Sequence, residues 1–118
     1  MSIFNIGKEF SRYPSGRFYS DGESSGEFFR EKFLKPKISK LSENEVLTII
    51  LDDGVETFGS SFLVAGFAGM VKYGYITGDE LLKKIEFKVK DPDYEFYKNR
   101  ILQYVNEAKY NSDKYIST

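Results

Sequence analysis

The stretch 46–74, VLTIILDDGVETFGSSFLVAGFAGMVKYG, most limits what this chain can fold into. Val46 to Leu51 is six residues, five of them apolar, with no alternation between inward and outward positions. Such a run predicts a strand buried on both faces, as in a parallel sheet flanked by helices. Asp52-Asp53-Gly54 stops it with turn chemistry. From Thr57 to Val71 there is no charged residue. Within that segment Leu63, Phe67 and Met70 fall on one helical row, and Phe62, Gly66, Gly69 and Tyr73 on another. Its fifteen residues, interrupted by Gly59-Ser60-Ser61, fall short of a membrane span. The expectation is a central strand, a loop and a buried helix whose first turn carries two serines.

The 118 residues predict one domain, 1–118, burying more than about 60% of its unfolded surface. Eleven Phe and nine Tyr supply a core without Trp. With 17 basic and 18 acidic residues, the net charge of −1 gives no general attraction to nucleic acid or anionic lipid. The absence of Cys removes disulfides, thiolate zinc sites and cysteine nucleophiles. The absence of His removes the commonest metal ligand and the commonest general base near neutral pH. Met1-Ser2-Ile3-Phe4-Asn5 has neither a basic region nor a long apolar stretch, which predicts no secretion signal and a cytoplasmic protein.

Along the chain, Ile3 to Ile6 reads as an edge strand. Tyr13-Pro14-Ser15-Gly16 has turn chemistry, and Arg17-Phe18-Tyr19 reads as a strand leaving it. Ser24 and Glu27 have the spacing of a capping box, opening a helix through Leu34 with Phe28, Phe29 and Phe33 on one face. Lys35-Pro36 is expected to end that helix. Lys32, Lys35, Lys37 and Lys40 read as a solvated basic cluster. Thr77 and Glu80 cap a short helix to Lys84. Ile85, Phe87 and Val89 alternate with charged residues as a half-exposed strand. Asp91-Pro92 opens the last helix, with Tyr94, Tyr97, Ile101, Tyr104, Val105 and Ala108 as its apolar stripe. The tail 110–118 is expected to fray.

A strand, an acidic turn and two adjacent serines opening an apolar helix resemble the STAS domain of bacterial anti-sigma-factor antagonists. The pattern there is roughly Asp-Ser-Ser-Gly before an apolar helix, with the second serine phosphorylated. Here it reads Gly59-Ser60-Ser61-Phe62. With Gly16-Arg17-Phe18 and Ser25-Gly26-Glu27, the chain more closely resembles the divergent STAS-like family of mostly unassigned function, over about 16–87. The resemblance implies an α/β fold with a mixed sheet of four to five strands and about four helices. It also implies a non-enzymatic regulatory module whose partner is an anti-sigma-factor-like or histidine-kinase-like ATPase. Gly59 stands where antagonists carry aspartate and Phe62 where they carry glycine, departures that bear on phosphorylation more than on fold.

Gly59, Ser60, Ser61 and Phe62 are therefore the candidate partner or phosphorylation site, although serines at a helix start are also ordinary caps. Arg17, Ser24, Ser25 and Gly26 form a candidate anion site, because a helix start offers N–H groups and arginine a bidentate contact. The local alternative pairs Arg17 with Asp21 or Glu23. Gly66 and Gly69 each cost about 1 kcal/mol against alanine, offset by close packing on the sheet or by a second protein. Asp52-Asp53 is similar to the magnesium-binding acid pair of receiver-type domains. The other strands offer Asn5 and no clean aspartate at their ends, except Asp91 after a charged run, so an exposed acidic turn is expected, with no metal and no cofactor. Three classes stay open: a regulatory docking module, an interaction subunit of a phage or toxin-type system without a switch, and a small anion- or nucleotide-binding domain. Enzyme activity is the weakest class, since no carboxylate, lysine or tyrosine spacing points to one.

Overall fold

The computed structural model describes residues 2–118. Three strands, β1 (Ser2–Asn5), β2 (Leu47–Ile50) and β3 (Ile85–Lys88), form a sheet in that order, with β2 central as its apolar sequence predicts. Both pairings are parallel, so the sheet has fewer strands than the expected four to five and is not mixed. The absent strand is Arg17-Phe18-Tyr19. Asp21 Oδ2 accepts the N–H groups of Arg17 and Phe18 at 3.0 and 2.9 Å and curls the segment into a 3-10 turn at Tyr19–Asp21. Five helices complete the described residues, one more than expected: α1 (Ile6–Glu9), α2 (26–39), α3 (60–72), α4 (Gly78–Lys84) and α5 (Glu95–Glu107).

Neighbouring residues of a parallel sheet point to the same face. The row Phe4–Ile49–Phe87, with Leu47 and Ile85, packs into the core, whereas the rows Ile3–Thr48–Glu86 and Asn5–Ile50–Lys88 face away. Leu47 and Ile49 are buried but Thr48 and Ile50 only half-buried, so β2 is covered on one face, not two. The order 1-2-3 accounts for this. Two right-handed crossovers that step the same way across a sheet lay their helices on the same side.

Helices α2 and α3 cross through small residues. A Cβ at Gly26 would lie 2.6 Å from Ala65 Cβ and 2.7 Å from Phe62 O, and one at Gly66 would lie 2.9 Å from Phe29 Cδ2. The glycines of α3 thus serve contact with α2, not with the sheet. Each helix also widens to a π-turn at the crossing, at Arg30–Leu34 and Val64–Ala68. In α2 this turn explains why Pro36 does not end the helix. Lys35 N–H bonds to Arg30 O, five residues back. The shifted ladder makes room for a proline ring that would otherwise strike the carbonyl of the preceding turn.

The tail is bound rather than frayed. Asn111 N–H and Asp113 N–H donate to Val71 O and Lys72 O at 2.9 and 3.0 Å, and Tyr115 and Thr118 reach Glu27 at the start of α2. Asp52 and Asp53 hold the strand ends together. Asp52 Oδ2 accepts Lys90 and Asp91 N–H, while Asp53 accepts from Asn5 Nδ2 at 2.8 Å.

The crossing yields a stability test. Gly26→Ala must push the two helices apart, because the nearest atoms include backbone. Chemical denaturation should show a loss of about 3 kcal/mol. A loss below about 1 kcal/mol would mean that the helices do not approach this closely.

Candidate functional site

The first turn of α2 is closed by its own chain. Gly26 and Glu27 N–H donate to Gly16 O and Arg17 O at 2.9 and 3.0 Å, and Phe28 N–H donates to Ser25 Oγ. Ser25, not Ser24, is the cap, while Ser24 Oγ bonds to Ser11 Oγ. Ser25 is fully buried and Gly26 packs on α3. No N–H of the Ser25–Gly26 turn is left facing an anion.

The first turn of α3 is open. Gly59 is its N-cap and supplies no side chain, so neither Ser60 nor Ser61 caps the helix. The N–H groups of Ser60, Ser61 and Phe62 have no acceptor among the described residues. Ser60 is exposed and Ser61 half-buried, but Phe62 lies fully inside the core, against Phe10, Phe29 and Phe58. Phe62 therefore belongs to the fold and offers no surface.

The loop 13–18 joins the two helix starts. Gly59 N–H donates to Pro14 O at 2.9 Å, and a Cβ at Gly59 would touch Ser15 at 3.4 Å. Gly16 has φ +89°, which favours glycine, and presents its carbonyl to α2. The result is a shallow cleft lined by Gly16, Arg17, Phe18, Asp21, Gly59, Ser60 and Ser61. The structure thus brings Arg17 to Ser60 and Ser61 rather than to Ser24–Gly26. The Arg17 guanidinium is exposed and makes no ion pair among the described residues. Asp21 holds the loop through backbone contacts; the N–H groups of Phe18 and then Arg17 keep its carboxyl below the usual aspartate value. On the other side of Ser60 a second cleft contains Phe58, Leu63, Phe96, Tyr97, Arg100 and Tyr104. Phe18 and Phe96 are 41% and 55% exposed, so large rings flank the helix start on both sides.

Behind the first cleft lies a buried charged cluster that sequence reading missed. Arg30 is 2% exposed; its Nε donates to Glu31 at 2.8 Å and its Nη1 to Ala65 O at 2.7 Å. In a regular helix Ala65 O would accept from Gly69 N–H, which the π-turn sends to Val64 O instead. The guanidinium lies over the rings of Tyr73 and Tyr115, 4.6 and 5.0 Å from their centres, and those rings meet edge to face beside it. Glu27 accepts from Tyr19 N–H, Tyr115 Oη, Thr118 N–H and Thr118 Oγ1. Burial alone would raise the Glu27 pKa, but these bonds, Thr118 Oγ1 first and Tyr115 Oη next, outweigh it and hold it below the ordinary value. Burial, and then the bond to Glu27, pushes the Tyr115 hydroxyl up to about 12. Tyr75 donates to Glu31 at 2.8 Å and is raised by burial and by that bond. The signal in the sequence was the spacing of Glu27, Arg30 and Glu31 on one side of an otherwise aromatic helix.

Compared with known proteins, the chain matches no family model, no curated protein and no solved structure. Among the described residues no helix is long and apolar enough to cross a membrane.

The Glu27 contacts set a pH dependence. Because its folded pKa is depressed, the stabilisation is complete above the ordinary glutamate value near 4.3 and is lost as pH falls through the folded value. Glu27→Gln should therefore lower the thermal midpoint at pH 7 and make little difference near pH 2. An equal deficit at both pH values would show that the ionised carboxylate contributes nothing.

Proposed function

We propose that this protein is a non-enzymatic regulatory module that docks on a partner protein through the start of α3. The observation that carries the reading is that exposed Ser60 joins two clefts, one bearing Phe18 and the other Phe96. Exposed aromatic rings beside small polar groups and an arginine are the chemistry of interface anchors. The first-turn N–H groups of α3 and the Arg17 guanidinium add a positive edge to this surface. By resemblance to anti-sigma-factor antagonists, the partner is an anti-sigma-factor-like or histidine-kinase-like ATPase and Ser61 is the regulated serine.

A phosphate on Ser61 carries about −1.5 to −2 charges. In the free protein it lies at the positive end of α3, in the cleft that holds Arg17, where it is tolerated. A partner seated over Phe18 and Phe96 has to desolvate that charge, which costs several kcal/mol if no counter-ion is brought. Because Phe62 and Leu63 are buried, the anchors of the interface are the two exposed rings rather than the apolar residues after the serines.

Capture from native lysate with and without ATP identifies the partner, and affinities for that purified partner then test the surface. Ser61→Asp, and more decisively the enzymatically phosphorylated chain, should leave the thermal midpoint nearly unchanged and weaken binding about a hundredfold. Phe18→Ser and Phe96→Ser should each weaken it about tenfold or more. Unimpaired binding by the phosphorylated chain ends the switch, and unimpaired binding by both phenylalanine variants ends the docking surface.

A further inference from the structure

The sheet ends in an uncovered edge at β3, and the residues along that edge are complementary to themselves. We propose that β3 pairs antiparallel with β3 of a second copy, about a two-fold axis through Phe87, to give a continuous six-stranded sheet.

The direction of the amides sets the first condition. Leu51 N–H bonds to Lys88 O, and Glu86 and Lys88 lie beside Thr48 and Ile50 of β2. In a strand both backbone groups of a residue point the same way, so those of Glu86 and Lys88 face β2 and those of Phe87 face outward. Ile85 C=O and Val89 N–H lie on the outward side with it. The Ile85 N–H is held by Leu81 O, and Lys90 and Asp91 N–H by Asp52, which marks where the free edge stops.

The side chains set the second condition. Directly opposed residues of an antiparallel pair share a face. With Phe87 opposite the second copy's Phe87, Ile85 meets Val89 on the core face, apolar against apolar. On the open face Glu86 meets Lys88, and the two-fold axis produces that pair twice. These are the non-hydrogen-bonded positions, where opposed side chains come closest. Shifting the centre to Glu86 sets Glu against Glu and Lys84 against Lys88. Shifting it to Lys88 sets Lys against Lys. Only the register centred on Phe87 joins opposite charges at both inner positions.

Access supports the pairing. Glu86 and Lys88 are exposed, and neither forms an ion pair among the described residues. A shallow groove beside the edge, lined by Leu82, Phe87, Lys98 and Leu102 among others, leaves room for the second copy. An edge lysine ordinarily deters strand addition. Here the glutamate two residues earlier, brought opposite by symmetry, removes that repulsion for this one partner. The other edge, β1, exposes Ile3 and carries no charged residue to fix a register.

The full chain should sediment at twice its 13.6 kDa mass at high concentration and dissociate on dilution from about 500 to 1 µM. Glu86→Lys and Lys88→Glu each place like charges opposite one another twice, so each should weaken the dimer about tenfold or more. The double exchange Glu86→Lys with Lys88→Glu should restore it. An equimolar mixture of the two single variants should form a heterodimer, since both inner contacts are then attractive. Both residues are exposed, so circular dichroism should show an unchanged fold in every variant. A chain that stays monomeric at 500 µM overturns the proposal. So does a dimer indifferent to both single substitutions, which would lie at the β1 edge or on the open sheet face.

Discussion

A buried guanidinium must have its partners supplied or it unfolds its surroundings, and Arg30 is where this chain supplies them from three directions. Glu31 comes from its own helix, Ala65 O from the π-turn of α3, and the Tyr115 ring from the tail. Gly69 provides the space; a Cβ there would come within 2.7 Å of Nη1. The close approach at Gly69, the π-turn of α3 and the docked tail thus meet at one buried charge.

Two serine-containing helix starts on one surface differ for a separate, local reason. At α2 the loop 13–18 delivers Gly16 O and Arg17 O to the first turn, and Ser25 completes it. The same loop gives only Pro14 O to Gly59, leaving the first turn of α3 open beside Arg17. One helix start is structural and the other available, and the difference lies in where the carbonyls of a six-residue loop point.

The elements most legible in the sequence were those whose cause is local. The β2 run, the Thr77 cap and the Asp91 cap all appear where side-chain chemistry alone places them. Local rules failed where distant groups intervened. Ser11 engages Ser24 and Ser25 becomes the cap instead; Glu27, assigned by spacing to a capping box, is taken by Tyr115 and Thr118. A polar tail with little apolar character gave no local sign of docking, since its acceptor lies at the far end of the chain. Ser60, Ser61 and Arg17 were each visible as candidates, but their meeting depends on a loop contact that no spacing encodes. The open face of β2 was hidden for a similar reason: an apolar run records burial, whereas which face is covered follows from the order of the strands.

The strand order has a consequence for how the molecule assembles. Every strand pairing joins residues about forty positions apart, so the sheet cannot begin as a hairpin and its closure entropy falls due before any ladder bond forms. The α2–α3 crossing spans a similar separation, Gly26 to Ala65, but joins two helices whose own hydrogen bonds are local. In chain order β3 is the last strand made and it lies at the free edge, so a nascent chain carries the exposed edge of β2 until residues 85–88 follow.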